Sequence, residues 1–146
     1  MSWGREYGAK DMIRMINVAD LIGTPFVNRG RDPKTGLDCW GLVMEVGKRM
    51  GKEFPDFYVS ALDSKQIGVI HNFVESDWQK VSGPDEGVIV GMRLDRACLP
   101  DVTQHFGVCL DKMRFIHTMK NVGVIVTRLD HRFFKNIVSG YYQWSL

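Results

Sequence analysis

From about Ala9 to Ile22, the apolar residues Met12, Ile13, Ile16, Val18, Ala19 and Ile22 recur at the spacing of one helical face, which predicts a first helix. Gly23-Thr24-Pro25 ends it, and the polar stretch from Asn28 to Gly36, carrying Gly30 and Pro33, reads as a surface loop. A second helix is expected to start near Cys39 with Asp38 as its N-cap, to turn Leu42, Val43, Val46 and Met50 inward, and to end at Gly51. A third helical pattern spans roughly Ser60 to Glu75 through Leu62, Ile67, Ile70, Phe73 and Val74, although Gly68 interrupts it. After Gly83-Pro84 the period shortens to two, and strands are predicted at Gly87 to Arg93, His105 to Leu110, Arg114 to Met119, Val122 to Leu129 and Gly140 to Trp144. A short helix is expected from Leu129 to Ile137. Helices first and antiparallel strands second describe an α+β fold, and 146 residues suit a single domain over 1–146.

Composition narrows the function classes. Hydrophobic residues make up 45% of the chain and charged residues 25%, as in ordinary globular proteins. A net charge of +2, without a long run of one sign, gives no support to nucleic-acid binding. Three cysteines without repeated spacing argue against a disulfide framework and for a reducing compartment. The residues Met1 to Glu6 lack the apolar core of a signal peptide, and no apolar run reaches membrane-spanning length, so synthesis in the cytoplasm without a membrane span is expected.

The chemistry concentrates in Gly36-Leu37-Asp38-Cys39-Trp40-Gly41-Leu42-Val43, where a cysteine stands at the change from loop to helix. Unsatisfied backbone N–H groups and the helix dipole favour thiolate over thiol at such a position. Strand alternation puts His105, Gly107 and Cys109 on one face and Phe106, Val108 and Leu110 on the other. An even hairpin register brings His117 to the face of His105, and an odd one sends it to the opposite face; a turn over Leu110 to Met113 gives the even case. A nucleophile, a base and an orienting group are then available, with Cys39 attacking a carbonyl, His105 exchanging the proton and His117 holding the imidazole. Gly107 either gives a helix start or substrate backbone room to approach, or marks a bulge. Arg29, Arg31 and Lys34 make the cleft rim positive or are solvated loop cations.

These residues resemble the NlpC-type family of papain-like cysteine peptidases, which cut peptide bonds of the bacterial cell wall. Ala19 to Val27 looks like the family's lead-in helix and Gly-Thr-Pro-aromatic turn, Asp38-Cys39-Trp40-Gly41-Leu42-Val43 like its nucleophile signature, and His105-Phe106-Gly107-Val108 with Phe115-Ile116-His117 like its two histidine strands. The resemblance implies a papain-like fold with N-terminal helices on a central antiparallel sheet and the nucleophile at a helix N-terminus. It also implies Cys39 as nucleophile, His105 as base, His117 as orienting residue, peptidoglycan stem peptides as substrate, and neither metal nor organic cofactor. Three departures stand out. Phe26 occupies a slot usually held by tyrosine, Asp85-Glu86-Gly87 reverses the usual Gly-Asp order, and Trp40 replaces a serine. Trp40 is similar to the residue found in members associated with phage tails, which implies tail proteins as partners and the virion tail as a location.

Rival readings stay open at this level. The same scaffold fits a tail assembly component in which catalysis is dispensable, or an acyl or amide transferase with another acceptor in place of water. Cys39 is otherwise a small buried hydrophobe, and His105 and His117 are satisfied strand residues or join Cys39 and Cys109 around zinc. Asp38, Trp40, Phe26, Arg29 and Gln104 are candidates for the cleft or for substrate contact, Asp38 being equally well explained as a cap.

Overall fold

The computed structural model describes residues 18–57, 72, 78–93 and 105–143. Val18 and Ala19 form the last helical residues of the expected first helix, whose earlier part lies outside the described residues. Of the helix expected at 60–75 only Asn72 is described, and it is helical, while Gln104, Cys98 and His71 also lie outside the described residues. A two-residue hairpin, β1 (Arg31–Asp32) and β2 (Gly36–Leu37), occupies the stretch read as a loop. The helix α1 (Cys39–Arg49) follows directly. It starts where expected because the Asp38 side chain accepts the Gly41 N–H, and it stops where Met50 leaves helical geometry and Gly51 takes a φ of 78°.

Six strands then form one sheet: β3 (Gln79–Val81), β4 (Ile89–Met92), β5 (His105–Cys109), β6 (Arg114–Met119), β7 (Gly123–Arg128) and β8 (Val138–Gln143). Their order is β3-β8-β4-β5-β6-β7, and every pairing is antiparallel. The four strands expected between Gly87 and Leu129 and the last strand are present with boundaries moved by a few residues. β3 is a strand the hydrophobic pattern misses, because two of its three residues are exposed and it pairs only with β8. Leu129 to Ile137 is a series of turns and not the expected helix. Its buried residues Leu129, Phe134 and Ile137 close over the sheet, and turn hydrogen bonds such as Phe134 N–H to His131 O hold it.

Both faces of the sheet are covered. On one side Phe106, Val108, Leu110 and Ile116 pack with Trp40, Leu42, Val43 and Val46 of α1. On the other, Val88, Val90, Met92, Cys109 and Phe115 pack under Leu129, Phe134 and Ile137. This two-sided burial explains why β4 and β5 are buried at every position. Among the described residues no helix is long and apolar enough to cross a membrane.

The β5–β6 register pairs Val108 with Ile116 and Cys109 with Phe115, which is the even case. Gly107 therefore faces β6 at His117. A Cβ at 107 would lie 2.8 Å from the Ile116 carbonyl oxygen, 2.9 Å from the Phe115 ring and 3.1 Å from the His117 Cβ. The space beside this glycine belongs to β6, so it serves neither helix nor substrate. Gly107→Ala is expected to destabilise the fold by about 1–3 kcal/mol through overpacking, read as a lowered midpoint in chemical denaturation with an unchanged slope.

Candidate active site

The site begins with a cap. Asp38 is 1% exposed, and its two carboxylate oxygens accept from three groups. Oδ1 takes the Gly41 N–H at 2.8 Å and Arg31 Nη1 at 2.7 Å, and Oδ2 takes the Arg29 N–H at 2.9 Å. Arg29 reaches this position with a φ of 62°, in the left-handed region. Gly41 is required here because a Cβ would run into the Gly30 carbonyl oxygen. Arg31 continues to Asp56 through Nη2 at 3.0 Å, so it ties the hairpin to the segment after α1 and is not a loosely solvated loop cation.

Cys39 follows this cap at the first position of α1 and is buried. The backbone N–H groups of Phe106 and Trp40 act on its sulfur and favour the thiolate. Phe106 is the residue after His105, so the sulfur stands at the head of β5. Burial, joined by the charge of Asp38, outweighs those donors and the charge of Arg31 and pushes the thiol up to about 12. The helix-start argument for a resting thiolate thus fails on desolvation: the same packing that fixes the sulfur removes the water that would stabilise its charge. Asp38 feels the same burial, which raises its carboxyl against the pull of the Gly41 N–H, Arg31 and the Arg29 N–H.

The even register puts His105 and His117 on one face, and their rings meet. His105 Nε2 and His117 Nδ1 lie 3.0 Å apart, and His117 Nε2 lies 2.9 Å from Thr127 Oγ1. His117 stacks on Phe115, with ring centres 4.3 Å apart, and meets the edge of Phe134 at 5.0 Å. In this apolar setting burial lowers His105 to about 4, and burial with the neighbouring His105 lowers His117 to about 3. Thiol and imidazoles are all neutral near pH 7.

The remaining candidates fall in different places. Trp40 is core and not cleft: it is 1% exposed, its indole N–H donates to the Pro55 carbonyl at 2.8 Å, and its ring packs edge-on against Phe106. Phe26 is half-buried, bridges to Leu37, and lines an open groove with Pro25, Asn28, Asn121 and Val122. Arg29 is exposed and contributes its backbone N–H to the cap. Cys109 is buried among Val88, Val90 and Phe115, and burial pushes its thiol up to about 12. Among the described residues no group of three or more His, Cys, Asp and Glu is arranged around a metal position. Thr127 escapes the hydrophobic pattern. The signal for it was positional, since β6–β7 pairs His117 with Ile125 and Thr127 sits two residues further on the same face.

The neutral histidines link pH to stability. Their folded pKa values lie below the ordinary 6.5, so between those values the unfolded chain binds more protons. Their contribution is complete above about pH 6.5 and is lost as pH falls toward 4. Denaturant midpoints measured from pH 8 to 4 are expected to fall on the acid side, and to fall less steeply in His117→Asn than in the parent.

Comparison with known proteins identifies the family and the fold. The model of the NlpC/P60 family matches residues 23–142. A lipoprotein-like NLP/P60 protein of Staphylococcus aureus superposes with a TM-score of 0.65 at 19% identity, covering 94% of this chain and 42% of that one. The NlpC/p60 domain of the peptidoglycan hydrolase SagA superposes with a TM-score of 0.58 at 19% identity, covering 91% and 97%. The NlpC2 protein of Trichomonas vaginalis superposes with a TM-score of 0.63 at 20% identity, covering 99% and 50%. This chain thus spans less than half of the staphylococcal protein. No curated protein matches it in sequence. With the matched region running from the turn before Phe26 to the last strand of the sheet, the chain belongs to the NlpC/P60 family.

Proposed function

We propose that the chain is a cysteine peptidase that hydrolyses amide bonds of peptidoglycan stem peptides, with Cys39 as nucleophile, His105 as general base and acid, and His117 as the residue that orients His105. The observation that carries this reading is the division of the His105 ring. Nε2 is engaged by His117, which leaves Nδ1 without a side-chain partner among the described residues, and His105 directly precedes Phe106, whose backbone N–H meets the Cys39 sulfur. Family membership and the likeness to a peptidoglycan hydrolase domain support the substrate class.

The resting thiol and neutral imidazole define the order of events. As Sγ attacks the amide carbonyl, its proton passes to His105 Nδ1, forming the C–S bond and an imidazolium together. The tetrahedral oxyanion then collapses, His105 gives the proton to the departing amine, and a thioester remains. Water attacks the thioester with His105 again taking the proton, and the sulfur leaves and is reprotonated as the carboxylic acid departs. The backbone N–H of Cys39 stands at the first turn of α1, where an oxyanion is favoured by the helix dipole.

Cys39→Ala is expected to lower the release of cleaved stem peptides from purified wall fragments by about a thousandfold or more, read by mass spectrometry, while Cys109→Ala retains cleavage. Because protonation disables His105 as a base, activity should fall with acidification through about pH 4 and not near 6.5. Equal product from the Cys39→Ala protein would defeat the assignment.

A further inference from the structure

Resting on the reading above, we infer that Thr127 is a positioning residue that sets which nitrogen of each histidine carries its proton. The three side chains form one diagonal across neighbouring strands. His105 comes from β5, His117 from β6 and Thr127 from β7, with separations of 3.0 Å and 2.9 Å between their polar atoms. Phe115 and Phe134 wall the His117 ring, so among the described residues its polar contacts are His105 and Thr127.

The proton arrangement follows from the role of His105 as base. For His105 Nδ1 to present a lone pair to the thiol, its Nε2 must carry hydrogen and donate to His117. His117 Nδ1 must then be bare, so its Nε2 carries hydrogen and needs an acceptor. The Thr127 hydroxyl oxygen is that acceptor. Thr127 is half-buried, so its own O–H can turn to solvent and leave the oxygen free to receive. When His105 becomes imidazolium both of its nitrogens donate, and only this same arrangement accommodates it. The reverse arrangement, with the threonine hydroxyl donating to His117, ends with hydrogen on His105 Nδ1 and removes the base. A hydroxyl in this place biases the pair in a way that an apolar side chain of equal shape does not.

Imidazole nitrogen NMR on the Cys39→Ala protein, with and without Thr127→Val, reads the arrangement directly and needs no substrate. Both histidines should be Nε2–H in the parent. Thr127→Val should populate the Nδ1–H form of His117, Thr127→Ala should do the same without filling the site, and Thr127→Ser should restore the parent spectrum. In the catalytic form, Thr127→Val should lower kcat about tenfold with KM little changed, as expected for losing one hydrogen bond to a charged group, and Thr127→Ser should recover it. A parent spectrum with Nδ1–H on His117, or tautomers unmoved in the valine and alanine proteins, overturns the inference. A spectrum that changes as expected in a chain that cleaves no wall peptide would instead sustain the inference and refute the peptidase reading.

Discussion

A carboxylate buried beneath a helix start is the constraint on which the rest depends. Asp38 is nearly inaccessible, so each of its hydrogen bonds has to be made by the protein. The Gly41 and Arg29 N–H groups and the Arg31 guanidinium make them, and each fixes one piece of surrounding chain. The first fixes the pitch of α1, the second the left-handed bend before β1, and the third the hairpin and, through Asp56, the segment after the helix. Removing one partner from a buried charge of this kind costs about 3–5 kcal/mol. Cys39 has no freedom to be elsewhere: its position is a by-product of satisfying its neighbour.

That constraint works against the thiolate. The cap's negative charge sits beside the sulfur, and the burial that makes the cap rigid also desolvates the thiol, so two of the strongest influences on Cys39 raise its pKa. The chemistry proposed for this chain then depends on the base. A histidine with an ordinary pKa would be partly protonated near neutrality, and only its neutral fraction could take a proton from a thiol. Burial of His105 keeps it neutral down to about pH 4, so in the proposed mechanism it is free to accept a proton at neutral pH, as a weaker base than an exposed imidazole. The two opposed shifts belong together: a protonated nucleophile is usable only beside an unprotonated imidazole.

Much of this was legible from residue order. The helix start at Asp38-Cys39 follows from local capping chemistry, and the face shared by His105 and His117 follows from alternation plus an even register. What local patterns do not contain was lost. β3 is short and half-exposed, and it exists only because β8 offers an edge. The turns from Leu129 to Ile137 carry apolar residues at spacings a helix also allows, and the demand to cover Phe115 and Cys109 decides between them. Trp40 reads as a substituted catalytic neighbour in sequence, yet its indole is held by the Pro55 carbonyl and the ring of Phe106, which sit far from it along the chain. The thiol's charge state is not legible in the sequence for the same reason, since the helix dipole is local and burial is not.

The two-faced sheet resolves how a polar relay survives inside a hydrophobic fold. Strand alternation gives β5 one face for α1 and another for the cover formed by Leu129, Phe134 and Ile137, so the histidines enter an apolar layer. Isolated imidazoles there would each leave both ring nitrogens unsatisfied. Pairing them cures one nitrogen on each and leaves two, and these have opposite fates. The outer nitrogen of His117 is met by Thr127 on the next strand, while the outer nitrogen of His105 has no bond given to it among the described side chains. A chain of hydrogen bonds closed at one end and open at the other has a direction. In this molecule the open end is the one carried by the residue next to Phe106, whose backbone N–H meets the sulfur.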